Sequence, residues 1–215
     1  MAGATPLPRL PERRRRPVGE ERRQALLVAT ERLLHERPLA EVSVGDIASA
    51  AGVTRSGFYF YYPNKAAVVT ELLGDVFAEM VEGAGDFIRG AGDPAESVRA
   101  AMASTWTLWH GHQGVILAML DARGTDPAVR ELWDAWLDRF VEPLTEGIRR
   151  QRDSGHALPG PDAADLVRVL LSANERTFER LSRADGTPDE VRRVIDALSA
   201  VWSGAIYGPT SGRKP

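Results

Sequence analysis

Several common signals are missing from this sequence, and each absence removes a class of structure or function. The 215 residues include no cysteine, which excludes disulfides and thiolate metal sites. No run of about 18 apolar residues offers a membrane-spanning helix, and no apolar stretch follows the arginine-rich start as a signal peptide requires. No segment alternates polar and apolar residues as a half-buried strand does. We therefore expect an all-α, cytoplasmic protein without a membrane segment.

Charge is divided unevenly along the chain, although the net charge is only −3. Residues 1–65 hold 11 Lys and Arg against 7 Asp and Glu, whereas residues 66–215 hold 16 against 23. A basic amino-terminal part can bind phosphates while an acidic remainder stays clear of them. The basic residues include the run Arg13 to Arg16, in a stretch without helical periodicity. We expect residues 1–18 to be a disordered arm, either a solvated tail or an added phosphate contact.

The most informative segment is residues 43–65, SVGDIASAAGVTRSGFYFYYPNK. Ser43 with Asp46 three residues later predicts a capping box, and Gly52 supplies a sharp turn before a second helix near Thr54. That second helix carries hydroxyl, phenol and guanidinium groups, which hydrogen-bond base edges and phosphates when a helix lies in a DNA major groove. The pattern predicts a helix-turn-helix that binds double-stranded DNA.

Capping residues divide the rest of the chain into helices. Asp93-Pro94, Asp126-Pro127 and Thr187-Pro188 each place a capping side chain before a proline at the first helical position. A long helix from residue 65 to about residue 88 should connect the two parts. We count nine helices, with a DNA-binding domain over residues 19–66, a second domain over residues 67–208, and a disordered tail over residues 209–215.

The second domain holds all five tryptophans. A 100° step per residue puts Trp133, Trp136 and Phe140 on one face of the helix that starts at Pro127. On the helix over residues 162–183, Asn174 falls within an apolar arc, where an unpaired amide would cost about 1–3 kcal/mol. Its partner is a side chain, a water or a ligand. These features favour an apolar cavity with a few polar groups. The candidate wall residues are Met102, Thr105, Trp106, Trp109, Trp133, Trp136, Phe140, Leu144, Leu170, Leu171, Asn174, Thr177, Phe178 and Trp202.

The string SGFYFYYPNKAAV over residues 56–68 is similar to the DNA-reading segment of the TetR family of transcriptional repressors. Residues 174–177 with Trp202 resemble the ethionamide-resistance-repressor branch of that family. The resemblance implies a homodimer with a long apolar ligand channel, contacted by Asn174 and Trp202. It also implies phosphate contacts from Thr54 and Lys65. Bases or backbone would be approached by Arg55, Ser56, Gly57, Tyr59 and Tyr61. Leu171, Thr105 and Pro143 replace the family's Asn, Phe and Tyr, so its ligand specificity does not transfer.

A wide apolar surface on the last two helices predicts self-association. The arc on the helix over residues 162–183 spans about 200°, more than one core needs, and the helix over residues 188–206 repeats the pattern. We expect both helices to pack on their two-fold copies. The favoured function is a homodimeric repressor of a palindromic operator, relieved by a mostly apolar small-molecule effector.

Two other functions remain open: a helical enzyme and a ligand carrier without a role on DNA. His110 and His112 are two residues apart, so a helix would point them in different directions, and we expect no metal site. No carboxylate pair, serine elbow or glycine-rich phosphate loop accompanies them, and we expect no cofactor and no catalysis. The basic amino-terminal part argues against a simple carrier. Salt-dependent binding to DNA from the protein's own promoter region would separate the two functions, because a carrier should show none.

Overall fold

The computed structural model describes residues 18–184 and 186–208, and every regular element in these ranges is helical. The predicted all-α class is confirmed. The predicted arm lies outside the described residues except for Val18, and so does the predicted tail. In chain order the elements are α1 Val18–Glu36, a 3-10 turn Leu39–Glu41, α2 Val44–Ala50, α3 Arg55–Tyr61, α4 Lys65–Gly83, α5 Gly85–Arg89, α6 Pro94–Gly111, α7 Gln113–Ala122, α8 Pro127–Asp153, α9 Ala163–Arg183 and α10 Pro188–Tyr207.

Helices α1–α3 form a small unit, the head, around a shared apolar core. Leu26 of α1, Ile47 of α2 and Phe58 of α3 are fully buried. The predicted capping box is present at the start of α2. The Asp46 N–H donates to the Ser43 hydroxyl over 3.1 Å, and the Ser43 N–H donates to the Asp46 carboxylate over 2.9 Å. Hydrogen bonds from the Ser43 hydroxyl and then its N–H lower the pKa of Asp46.

The connector that leaves the head is shorter than predicted. α4 ends at Gly83, Ala84 has φ −88° and ψ 4°, and the separate helix α5 begins at Gly85. Glycine in a helix interior costs about 1 kcal/mol relative to alanine, so two glycines around Ala84 weaken a continuous helix there. The prediction of nine helices is wrong because of this break, since the described residues contain ten α-helices.

Helices α5–α10 form the body, in which α6 packs along α10 and α8 along α9. The three predicted helix starts are confirmed. Asp93, Asp126 and Thr187 each accept a hydrogen bond from an N–H of the first turn, and each is followed by proline. α8 continues through Pro143 over 27 residues. No helix in the two described ranges is both long and apolar enough to cross a bilayer.

The last two helices bury one face within the chain and expose another. Leu170 and Phe178 of α9 are buried, as is Trp202 of α10. On the outer faces, Val169 of α9 is 66% exposed and Val201 of α10 is 53% exposed. Much of the apolar arc predicted for α9 is therefore covered inside the chain, and a smaller apolar area stays exposed.

Candidate functional site

The turn between α2 and α3 holds a short helix at the surface of the head. Gly52 has φ +68°, a left-handed conformation that glycine adopts without a steric penalty. Thr54 then caps α3, because its side-chain oxygen accepts the Gly57 N–H over 3.0 Å. The Ser56 hydroxyl lies 3.0 Å from the same oxygen. The first turn of α3 is thus fixed by local hydrogen bonds.

Helix α3 has a buried face and a face open to solvent. Phe58 is fully buried, and Tyr62 just after the helix is buried too. Burial, and then the nearby Glu71 carboxylate, raises the pKa of the Tyr62 phenol. On the open face, Tyr59 is 48% exposed and Phe60 is 83% exposed. Arg55 and Ser56 are exposed as well. The structure therefore presents phenol, phenyl, guanidinium and hydroxyl groups on one surface.

Lys65, at the start of α4, contacts the head directly. Its ammonium donates to the Leu39 carbonyl over 2.7 Å and to the Val42 carbonyl over 3.0 Å. An ammonium has three N–H donors, so these bonds use two of them and leave one. Lys65 thus ties α4 to the 3-10 turn that precedes α2.

The body contains a narrow apolar cavity of about 60 Å³. Nine of the predicted wall residues line it: Met102, Thr105, Trp109, Phe140, Leu144, Leu171, Asn174, Phe178 and Trp202. Nine further residues complete the wall: Phe77, Met80, Val81, Ala84, Phe87, Ile88, Ala101, Leu137 and Glu175. The side built by α4 and α5 was not predicted, because apolar residues on a connecting helix fit an ordinary core equally well.

Asn174 is paired within the cavity wall, so the partner it needs includes another side chain. The indole N–H of Trp202 donates to the Asn174 side-chain oxygen over 3.0 Å. An indole N–H can only donate, which fixes the orientation of the amide. Among the residues that the structure describes, the Asn174 NH2 group has one hydrogen-bond acceptor, the Met102 sulfur at 3.4 Å. Sulfur is a weak acceptor, so this NH2 group retains donor capacity beside the cavity.

Glu175 is the one acidic or basic residue in the cavity lining, and its charge is compensated. One carboxylate oxygen accepts from the Arg123 guanidinium over 2.6 Å, and the other accepts from the Trp133 indole N–H over 2.8 Å. The Arg123 guanidinium also lies 5.5 Å from the centre of the Trp133 ring. The wall is therefore electrically close to neutral.

Comparison with known proteins gives a match for the head and another for the body that contains the cavity. Residues 26–72 match the family described as bacterial regulatory proteins, tetR family. Residues 98–208 match the family described as transcriptional regulator EthR, C-terminal domain. The chain is 35% identical over 206 residues to the HTH-type transcriptional regulator EthR of Mycobacterium tuberculosis, covering 93% of this chain and 94% of that protein. The chain belongs to the TetR family of bacterial transcriptional regulators.

Solved TetR-family structures share the fold of this regulator. A TetR-family regulator from Syntrophomonas wolfei superposes with a TM-score of 0.74 at 17% identity, covering 85% of this chain and 95% of that one. SmeT of Stenotrophomonas maltophilia, solved as a complex with triclosan, gives 0.72 at 20% identity, covering 90% and 98%. The helix-turn-helix of the TetR family corresponds to α2 and α3 of the head. The ligand-binding carboxyl-terminal domain of the family corresponds to the body with its apolar cavity.

Five predicted wall residues of this TetR-family regulator lie outside the cavity lining: Trp106, Trp133, Trp136, Leu170 and Thr177. The tryptophans form a second layer behind it. Trp133 and Trp136 pack on Phe77, with ring centres 5.7 and 5.5 Å away, and Trp106 packs on Phe178 at 5.4 Å. A helical wheel shows which residues point inward, but it does not separate residues that touch a cavity from residues that support its wall.

Phe60 is an exposed residue of the α3 surface that the sequence analysis did not include among the candidates. Its apolar side chain by itself suits a core. However, it is two residues after the buried Phe58, and two helical steps of about 100° place it on the opposite face. The period of α3 was therefore a sufficient signal. Tyr61, which was predicted, is half-buried with its ring 5.0 Å from that of Phe60.

Proposed function

We propose that this regulator is a homodimeric repressor that binds a palindromic operator through α3 and releases it when a mostly apolar molecule enters the cavity. DNA binding of this kind takes place in the cytoplasm. The proposal joins the two surfaces described above, since α3 supplies the contact with DNA and the body supplies the binding chamber.

The exposed Phe60 carries the DNA-binding part of the proposal. A phenyl ring that is 83% exposed gains little from folding and is free to contact another molecule. Beside Tyr59 it offers an apolar contact for a thymine methyl group and a phenol for base edges or phosphates. Arg55 and Ser56, exposed at the helix start, add hydrogen-bond donors. We propose Thr54, Gly57, Tyr61 and the remaining donor of Lys65 as backbone contacts.

The exposed faces of α9 and α10 support a homodimer. Val169 and Val201 are large apolar residues on these faces, and Ala197, Ala200 and Ala205 of α10 are exposed beside them. Small and apolar side chains allow two copies of a helix pair to approach closely around a two-fold axis. Two heads related by that axis would bind half-sites one or more DNA turns apart.

The effector that we propose for the cavity is uncharged and mostly apolar. Apolar residues dominate the lining, and the single carboxylate, of Glu175, is already held by Arg123 and Trp133. The NH2 group of Asn174 offers one hydrogen bond to an acceptor on the molecule. Triclosan in SmeT is an example of such a ligand on the same fold. We propose a binding chamber rather than an active site, because the lining presents no free acid, base or nucleophile.

Operator binding by variants of α3 tests the proposal. The DNA upstream of the protein's own gene is titrated with protein at constant salt, and binding is followed by fluorescence anisotropy. We expect Tyr59→Ala, Phe60→Ala and Arg55→Ala each to lose about 1–3 kcal/mol of affinity, which is roughly 5- to 150-fold. The matched control Arg89→Ala removes an exposed arginine of α5 and should bind as the parent does. Parent-like binding by all three α3 variants would show that α3 is not the reading helix.

A further inference from the structure

One side-chain contact joins the head to the far part of the body. Within the described residues, Glu31 of α1 and His112 form the only side-chain hydrogen bond between helices α1–α3 and the part of the body that follows α5, from the His112 Nδ1 atom to a Glu31 carboxylate oxygen. Both side chains are partly shielded from solvent. The other polar links of the head, from Arg23 to Glu71 and from Lys65 to the 3-10 turn, end on α4.

His112 lies between α6 and α7, three residues from the cavity wall. It is the residue that ends α6 and begins α7, with φ −114° and ψ 21°, so it belongs to neither helix. Trp109, three residues earlier, lines the cavity. The Trp109 indole N–H donates to the Ser182 hydroxyl of α9 over 3.0 Å. A displacement of the end of α6 therefore passes to His112 through less than one turn of helix.

The same junction packs tightly against α1. A methyl group at Gly114 would lie 2.5 Å from the His35 ring, so the ring is already against the backbone of α7. His35 follows Glu31 by four residues, and the two side chains face the same way along α1. The first turn of α7 thus contacts α1 by packing at His35 and by a hydrogen bond at Glu31.

We infer that the Glu31–His112 pair is the contact that couples cavity occupancy to the position of the DNA-reading head. The inference rests on the proposed function. The cavity is narrow, so a molecule that enters it displaces wall residues, Trp109 among them. The end of α6 then moves, His112 separates from Glu31, and the head can turn about α4. Glu31 and His112 are positioning residues, because neither lines the cavity nor lies on α3.

A double-mutant cycle tests this coupling without knowledge of the natural effector. In Leu171→Trp, the larger side chain of a wall residue fills the cavity and mimics a bound ligand. We expect it to weaken operator binding about tenfold in the parent. Glu31→Ala should weaken binding by itself, because it frees the head. In the Glu31→Ala background, Leu171→Trp should then cost less than twofold, since the contact that transmits it is gone.

An exchanged pair and a matched control separate coupling from a general loss of structure. Glu31→His combined with His112→Glu places the same two groups in reversed order, and it should restore the tenfold effect of Leu171→Trp. Glu36→Ala, at an exposed position of the same helix, should leave that effect unchanged. Thermal unfolding of each variant identifies any that is misfolded, in which case the exchanged pair decides the question.

The outcomes separate this inference from the proposed function. An equal tenfold cost of Leu171→Trp with and without Glu31 would overturn the coupling role and leave the proposed function standing. Failure of the exchanged pair to restore the effect would also overturn it. A parent protein that binds no operator, or that binds it equally well with Leu171→Trp, would contradict the proposed function itself, and the inference with it.

Discussion

The hydrogen bond between Asn174 and Trp202 predicts how the cavity responds to a polar deletion. Trp202 is 1% exposed, and its indole N–H donates to Asn174 over 3.0 Å. Asn174→Leu keeps a similar volume but leaves that N–H buried without an acceptor. Trp202→Phe does the reverse, because it removes the donor, leaves the Asn174 oxygen unpaired and also creates a small cavity.

The size of the effect follows from the penalty for an orphaned polar group. Leaving one buried donor without a partner costs about 1–3 kcal/mol. For a chain of this length, each kcal/mol lowers the midpoint of thermal unfolding by about 2–4 °C. Replacing both partners by apolar groups removes both penalties. The double variant should therefore lose clearly less stability than the sum of the two single variants.

Urea unfolding of the four proteins, followed by tryptophan fluorescence and far-UV circular dichroism, measures this. Protein concentration is held constant, because the stability of the proposed dimer would depend on it. We expect a coupling free energy of about 1 kcal/mol or more between the two sites. Strictly additive losses would refute the reasoning, since they would mean that Asn174 and Trp202 do not satisfy each other.

Three further predictions concern the head and its attachment. Gly114→Ala should destabilise the protein by about 1–3 kcal/mol through its clash with the His35 ring, and adding His35→Ala should restore the melting temperature. Lys65→Met removes two charge-assisted hydrogen bonds, so urea unfolding should show a loss of about 1.5–3 kcal/mol; unchanged stability would show that these two bonds do not stabilise the fold. Because the folded protein lowers the pKa of Asp46 from 3.8, its capping contribution is present above that value and is lost as the pH falls through the lower folded pKa. Ser43→Ala should thus reduce stability at pH 7 and make little difference in strong acid, which urea titrations at several pH values can check.

Local signals in the sequence were enough to place most helix starts. The capping side chains Asp93, Asp126 and Thr187 act within one turn of their own helix, so the sequence around them contains the whole interaction. The head was predictable for the same reason. Ser43, Gly52 and Thr54 fix the helix-turn-helix through contacts between near neighbours, and the resemblance to the TetR family reinforced that prediction.

The features that were missed depend on contacts between distant parts of the chain. The break at Ala84 and the contribution of α5 to the cavity follow from how the connector meets the body, which no local pattern records. Asn174 was predicted to lie in the body's interior, and the structure places it there. Its pairing with Trp202 could not be deduced, because three kinds of partner satisfy an amide equally. The split of the tryptophans into wall and support likewise needs the packing of α4 against α8.

The guanidinium of Arg123 has a consequence for how the regulator's ligand preference can change. It forms an ion pair with the Glu175 carboxylate, and this pair screens the negative charge from a ligand in the cavity. Loss of this single arginine would leave the Glu175 carboxylate without its counter-charge in an otherwise apolar wall. Amphiphilic amines would then bind better than neutral compounds. A descendant of this protein could thus come to sense a different class of chemicals by one substitution outside the lining, with every wall residue unchanged.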